Sequence, residues 1–281
     1  MKMNEYLIKN IKNFTCLCDK NSDLVLNSIS LDCEKCKKKY KKIEEKFFFS
    51  DQFFDQNKWN FGENPDYLER EKSPKIPDRI GGPRLKELEK YLKLDNKAEP
   101  FYVNLGGGSD KIEKFINIDL GNYRNVDIVA SLENLPIKSM TVDLLLSNSV
   151  LEHVNDYRKV ISEANRILKV GGYFYLCVPL LSPKHHIVDY QRWTIDGLKK
   201  LFNKKNYEFL DEGVCRSSAY TLVYILESIL VSRVKKGILR SALRKLIYLI
   251  CSPLINLKIL NSDLEKAYAN TVYIVLKKIK D

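Results

Sequence analysis

"VNLGGGSDKIEKFINIDL", Val103 to Leu120, decides how this chain is read. A short apolar run ends in three glycines, Gly106 to Gly108, and a second apolar run closes on Asp119, eleven residues after the last glycine. Near-continuous apolar runs of this length are strands of a mostly parallel sheet, and glycines between them let backbone N–H groups come close to a ligand. A dinucleotide fingerprint needs G-x-G-x-x-G opening a full helix, with its acid ~20 residues further on. Here Gly106 and Gly108 give G-x-G, the third glycine is absent, and "SDKIEK" holds scarcely more than a helical turn. A pyrophosphate calls for a long helix N-terminus, so the spacing argues against an NAD-type ligand. It suits a smaller ligand with a ribose diol, both hydroxyls reaching Asp119.

Outward from this stretch, apolar runs alternate with connections. The expected strands are FYVNL (101–105), FINID (115–119), VDIV (126–129), VDLLLSN (142–148), YFYLCVP (173–179), YEFLDEG (207–213) and NTVYIVLKK (270–278). Between the fourth and fifth, Val160, Ile161, Ala164, Ile167 and Leu168 recur at helical spacing, and Gly171-Gly172 is expected to end that helix. Strand, helix, strand implies an α/β fold with a mostly parallel sheet, and ligands of such sheets lie beyond the carboxyl ends of the strands.

Four of the seven cysteines fall within the first 36 residues. Cys16 with Cys18, and Cys33 with Cys36, flank an alternating segment that can form a hairpin and bring four thiolates to one tetrahedral zinc. A module over 1–46 is too small to fold on a core alone, so metal would supply its folding energy. The first pair is C-x-C where C-x-x-C is standard, and Asp19, at the x-x distance from Cys16, offers a substitute oxygen ligand. Reduced thiols without metal are the competing reading. Residues 47–97 read as an aromatic-anchored connector followed by a helix in "PRLKELEKYLKL" (83–94).

A net charge of +11 and a pI near 9.1 invite an anionic partner, nucleic acid, anionic lipid or phosphorylated substrate, or reflect a lysine-biased surface. No window reaches the ~18 uncharged apolar residues of a membrane span, and the N-terminus lacks a signal-peptide core, so a cytoplasmic protein with reduced or metal-bound thiols is expected. The segment 217–262 differs in composition: no acidic residue occurs from Ser228 to Ser262. Leu239, Ala242, Leu243, Leu246, Ile247 and Ile250 share one helical stripe, with Arg240, Arg244 and Lys245 opposite. That pattern fits a peripheral segment on the inner membrane surface, its cations toward anionic headgroups. It also fits a helix docked on the sheet or in a homodimer interface.

The ordered set "VNLGGGSD", "FINIDL", "LENLP", "VDLLLSNSVLEHV", "EANRILKVGGYFYLCVP" and "DYQRWTIDGLKKLF" resembles the class I S-adenosylmethionine-dependent methyltransferases of the type-11 group, over roughly residues 98–215. The cysteine module resembles the small zinc ribbon fused to some of them. The resemblance implies a Rossmann-like, mostly parallel seven-stranded sheet with an antiparallel last strand, giving a domain from 98 to 281. It further implies that Asn104 and Gly106, Gly107 and Gly108 hold the methionine end of the cofactor and Asp119 its ribose. Leu120 and Leu132 would enclose the adenine, Ser131 would accept from its amine, and Asn148 would sit beside the methyl group. Two positions depart from the pattern: Asn104 and Ser131 stand where family members often carry acids.

No catalytic base is assigned. His153 follows the fourth strand, where the family's Glu-His pair often braces the loop; His185 and His186 follow the fifth strand, and Asp189, Tyr190 and Arg192 shape the acceptor pocket or position its helix. The reading is a methyltransferase acting on an unidentified acceptor, with lipid-linked or surface-glycan precursors favoured by the basic insert. Alternatives are an RNA or protein methyltransferase, suggested by the zinc module and the charge, and a non-catalytic scaffold.

Overall fold

Eleven strands form one sheet in a computed structural model that describes residues 5–51, 100–110, 112–184, 188–235, 237–255 and 262–281. The connector beyond residue 51, the helix expected at 83–94, and His185 and His186 lie outside the described residues. In chain order the strands are β1 Leu24–Leu26, β2 Ser30–Cys33, β3 Lys39–Ile43, β4 Lys46–Phe48, β5 Tyr102–Leu105, β6 Ile116–Asp119, β7 Ile128–Val129, β8 Val142–Asn148, β9 Leu168–Pro179, β10 Tyr207–Arg216 and β11 Thr271–Lys278. Their spatial order is β1-β2-β3-β4-β7-β6-β5-β8-β9-β11-β10. From β7 to β10 this is a seven-stranded sheet, parallel except for β11, which slots antiparallel between β9 and β10. The expected Rossmann-like α/β architecture is therefore present.

Alternation along each strand builds two faces. Val103, Leu105, Leu145, Phe174, Leu176 and Ile274 join the large core, while Tyr102, Leu144, Leu146, Tyr175, Cys177 and Val275 form a smaller cluster on the other side. The helices are α1 Glu5–Lys9, α2 Tyr157–Ile167, α3 Ile195–Lys199, α4 Ser218–Ser232, α5 Ile238–Ile255 and α6 Ser262–Tyr268. Asp156 caps α2 by accepting from the N–H groups of Arg158 and Lys159, and Val160, Ala164 and Ile167 are its buried stripe.

The end of α2 corrects one expectation. The helix stops at Ile167 and β9 begins at once, so Gly171 and Gly172 lie inside the strand. The fully buried Lys278 donates from Nζ to the carbonyls of Asn165 (2.9 Å) and Leu168 (3.2 Å), supplying the cation and the donor that a helix C-terminus needs. The glycines instead form a bulge, with Val142 opposite Leu168 but Leu144 opposite Tyr173, and Gly171 takes a φ of +88°.

The N-terminal module is continuous with the main sheet. Phe47 and Phe48 of β4 pair in parallel with Ile128 and Val129 of β7, and Leu7, Phe14, Cys16, Leu31 and Tyr40 share the large core. Phe14 bridges to Ile137, the Thr15 N–H donates to Pro136, and Lys20 Nζ donates to the Leu135 carbonyl (2.9 Å) and lies 3.3 Å from Glu163 Oε2. Burial pushes the Glu163 carboxyl up, but the bonds from Arg166, the Lys20 charge and the Leu135 N–H outweigh it and hold it below the usual carboxylate range. Residues 134–138 are thus clamped between the module and α2.

The insert corrects a second expectation. Arg240 and Arg244 do not face outward: both are buried against α4, where Arg244 Nε donates to Glu227 Oε1 at 2.7 Å. Of the expected apolar stripe, Leu239, Ala242, Leu246 and Ile250 are exposed, Leu243 is half-buried and Ile247 is buried, while Lys245 is exposed as expected. Lys258 lies outside the described residues. No helix among the described residues is long and apolar enough to cross a membrane.

Candidate functional site

The glycine turn leaves β5 at the carboxyl edge of the sheet. Gly106 has a φ of +68° and Gly108 of +54°, a region that side chains rarely adopt. A Cβ on Gly106 would come within 2.5 Å of Val150 Cγ1, and one on Gly107 within 2.1 Å of Asn104 Nδ2. One on Gly108 would meet open space, so this glycine is set by its backbone and its free approach. The glycines thus let the turn sit down on Asn104 beneath it and on Val150 beside it. Asn148 ends β8 two residues before Val150 and is exposed at the same edge, Ser149 between them taking a φ of +56°.

Asp119 closes the turn from β6. Its Oδ2 accepts the Gly108 N–H at 2.9 Å and its Oδ1 the Gly121 N–H at 2.7 Å. Burial holds this carboxyl above the usual range, against the N–H groups of Gly121, Gly108 and Leu120, which favour the charged form. An ionised carboxylate offers about four lone-pair sites, so both oxygens keep capacity for ribose hydroxyls. The Ala130 N–H donates to the Asp119 carbonyl, setting half-buried Ser131 and buried Leu132 beside it, with Leu120 on the near side. The Ser131 hydroxyl accepts the Glu133 N–H at 3.3 Å.

Motif reading passed over Asn117, which pairs in register with Asn104. It is buried, and its Nδ2 group reaches the carbonyls of Gly108 (3.0 Å), Asn125 (3.1 Å) and Asp110 (3.3 Å), pinning the loop from below. Its signal was a lone amide in the otherwise apolar "FINID".

Beyond β8, a 3-10 turn over Leu151–His153 carries the remaining candidates. His153 Nδ1 lies 2.6 Å from the Val188 carbonyl. A carbonyl can only accept, so Nδ1 carries the proton and Nε2 faces Glu152 at 3.6 Å. The Tyr190 N–H donates to the Glu152 carbonyl, and Tyr190 itself is exposed. Arg192 binds Asp189 through both terminal nitrogens, which raises its pKa against the opposing effect of burial, and donates to the Ser182 carbonyl at 3.2 Å. These contacts brace the loop after β9.

The four N-terminal cysteines converge as well. Their sulfur atoms all lie within 4.8 Å of one another, with Cys16 and Cys36 3.5 Å apart and Cys18 and Cys33 3.8 Å apart. Four thiolates at ~2.3 Å from a tetrahedral zinc stand about 3.8 Å from each other, so the set fits that ion. The C-x-C pair closes with a Cys18 N–H to Cys16 Sγ contact of 3.4 Å, as the C-x-x-C pair does between Cys36 N–H and Cys33 Sγ. Asp19 is not needed: its carboxylate takes Lys35 and the Asn21 N–H. Burial pushes Cys16 up, but the Tyr40 hydroxyl and its neighbours bring it down to about 7, while the bond to Cys16 pushes Cys18 up to about 12.

A seven-stranded sheet with its last strand inserted antiparallel carries a glycine turn clasped by a strand-end acid, the arrangement that the resemblance to class I S-adenosylmethionine-dependent methyltransferases implies. Residues 108–176 match the family described as methyltransferase domain. The chain is similar to dimethylglycine N-methyltransferase of Parasynechococcus marenigrum (strain WH8102), 29% identical over 79 residues, which cover 28% of each protein. It is also similar to malonyl-[acyl-carrier protein] O-methyltransferase of Hahella chejuensis (strain KCTC 2396), 28% identical over 107 residues, or 35% of this chain and 38% of that one. Among solved structures it is similar to Haemonchus contortus phosphoethanolamine N-methyltransferase 2, with a TM-score of 0.44 and 13% identity over 69% of this chain and 52% of that one. The chain thus spans 28% to 38% of the length of these two curated relatives.

Proposed function

We propose that this protein transfers the methyl group of S-adenosylmethionine to an oxygen, nitrogen or carbon atom of a lipid-linked or surface-glycan precursor. The observation that carries the cofactor half is the Asp119 carboxylate tied to the Gly108 N–H, which sets a diol acceptor and a backbone cradle side by side. Asn104 and Gly106 to Gly108 would hold the methionine end and Asp119 the ribose. Leu120 and Leu132 would enclose the adenine with Ser131 at its amine, and Asn148 would stand beside the methyl carbon. The bound cofactor supplies an electrophilic methyl on a sulfonium. Transfer of that methyl to the acceptor would leave the demethylated cofactor, with a proton lost from the acceptor where it had one. Alignment of acceptor atom, methyl carbon and sulfur is the chain's main contribution. The four cysteines would hold a structural zinc.

Calorimetry tests this. S-adenosylmethionine or its demethylated product should bind and NAD should not, and Asp119→Ala should cost about 1.5 to 3 kcal/mol, the usual loss for a bond to a charged group. The pH profile carries a second mark. Ribose hydroxyls favour the charged carboxylate, so binding expels a proton wherever Asp119 is protonated in the free protein. Affinity should therefore fall as pH drops through its raised pKa, starting at a higher pH than for an ordinary carboxylate, and Asp119→Asn should flatten the profile. In the cofactor-free protein the sign reverses: a raised folded-state value contributes stability that is lost as pH rises through it. Labelled methyl groups appearing in RNA or protein fractions, and not in lipid, would replace the acceptor class. Tight NAD binding would end the reading.

A further inference from the structure

Between β10 and β11 the chain builds a helical hairpin that buries an ion pair and leaves apolar stripes outside. On α4 the buried positions are Ser218, Thr221, Val223, Tyr224, Glu227 and Val231, while Leu222, Ile225, Leu226, Ile229 and Leu230 are exposed. On α5 the buried positions are Arg240, Arg244, Ile247 and Cys251. Its outer face is apolar: Ile238 is 90% exposed, Leu249 73%, Leu239 72% and Ile250 65%. The exposed sets recur at helical spacing, so each helix presents an apolar stripe outward, while the hairpin buries the Arg244–Glu227 pair together with a small apolar cluster of Val223, Val231, Ile247 and Cys251. Stripes this large on a protein surface mark an interaction face.

We propose that the outer face of the α4–α5 hairpin docks in the surface of an anionic bilayer and holds the carboxyl edge of the sheet against it. Charge selects this occupant. The exposed Arg233, Lys235 and Lys245 border the apolar stripes, and no acidic residue occurs from Ser228 to Ser262. A second copy seated on the same face would bring like charges together, whereas anionic headgroups complement them. Neither helix is long and apolar enough to cross, so the hairpin lies in the plane of the interface.

Topology fixes what the hairpin carries with it. Ser218 of α4 follows β10 after one residue, and β10 runs parallel to β9 because both are antiparallel to β11. The insert returns at Thr271, paired with Pro179 at the end of β9, and the Leu180 N–H donates to the Asn270 carbonyl at 2.8 Å. Both roots of the insert therefore sit on the edge that bears the glycine turn, Asp119 and Asn148. Docking would turn that edge toward the bilayer, where a lipid-linked acceptor lies; this orientation rests on the methyl-transfer reading, while docking itself does not.

Flotation of the full chain with vesicles tests the proposal, using phosphatidylglycerol with phosphatidylcholine against phosphatidylcholine alone. The wild type should float with the anionic vesicles at low salt. A variant combining Leu239→Ser, Leu246→Ser, Leu249→Ser and Ile250→Ser should lose at least about 100-fold in partitioning, because four buried aliphatic groups are removed. Lys235→Glu with Lys245→Glu should lose about 30-fold or more on anionic vesicles alone. All these positions are exposed, so melting temperature and S-adenosylmethionine titration should match the wild type. Wild-type protein that ignores anionic vesicles at low salt overturns docking, as does a serine variant that floats like the wild type. A vesicle-free dimer that the serine variant dissolves, without flotation, gives the face to a second copy instead. Flotation without cofactor binding would keep docking and sink the methyl-transfer reading.

Discussion

Cys33→Ser, or treatment with a strong chelator, is expected to release about one zinc per chain, unfold the N-terminal strands and weaken cofactor binding at the other end of the clamp. Structural zinc contributes about 10 to 16 kcal/mol of apparent binding energy in small peptides that fold on it. Here part of the module's folding comes from the shared core, where Leu7, Phe14, Leu31, Tyr40 and Phe47 pack with the main sheet. The loss should therefore be several kcal/mol. Its reach follows from the contacts of residues 134–138, which Phe14, Thr15 and Lys20 hold on one side and Glu163 and Arg166 on the other. Ser131 and Leu132 precede this segment, so releasing it should cost a few-fold in cofactor affinity. Metal analysis, hydrogen exchange over residues 5–48 and calorimetry read the three parts separately. Protein purified without chelators that carries no zinc would remove the metal site.

Arg244→Met is expected to destabilise the chain by about 3 to 5 kcal/mol, because it strips the buried Glu227 carboxylate of the guanidinium 2.7 Å away. Replacing both residues together, Arg244→Met with Glu227→Met, should restore most of the loss, since a buried ion pair exchanged for apolar groups of similar volume is often neutral. Leu246→Lys, on the outer face, should barely change the melting temperature in water. An ordinary amphipathic helix docked by its leucines predicts the reverse, with a harmless Arg244→Met and a costly Leu246→Lys. Thermal melts of these variants separate the two polarities without any membrane present.

The sequence by itself determined the sheet and the glycine turn at its carboxyl edge. Strand runs such as "VDLLLSN" and "TVYIVLKK" carry their own signal, because a strand buried on both faces must be apolar at nearly every position. The glycine turn and Asp119 were legible because backbone conformation and charge are local properties of residue type. The four cysteines were legible as a set, even though C-x-C spacing left the first knuckle in doubt.

Tertiary structure decided the rest, for reasons that no local pattern holds. "IEEK" contains no turn residue, yet Glu44 and Glu45 take φ values of +50° and +68°, and that hairpin aims Phe47 and Phe48 onto β7. Gly171 and Gly172 looked like a helix stop, but Lys278, more than a hundred residues away, ends the helix and leaves the glycines to bulge β9. Most telling is α5, whose sequence is amphipathic either way up. Periodicity states that two faces differ and is silent on which one turns inward. That choice was made by Glu227 on the neighbouring helix, whose buried carboxylate draws Arg244 in and leaves Leu239, Leu246 and Leu249 outside.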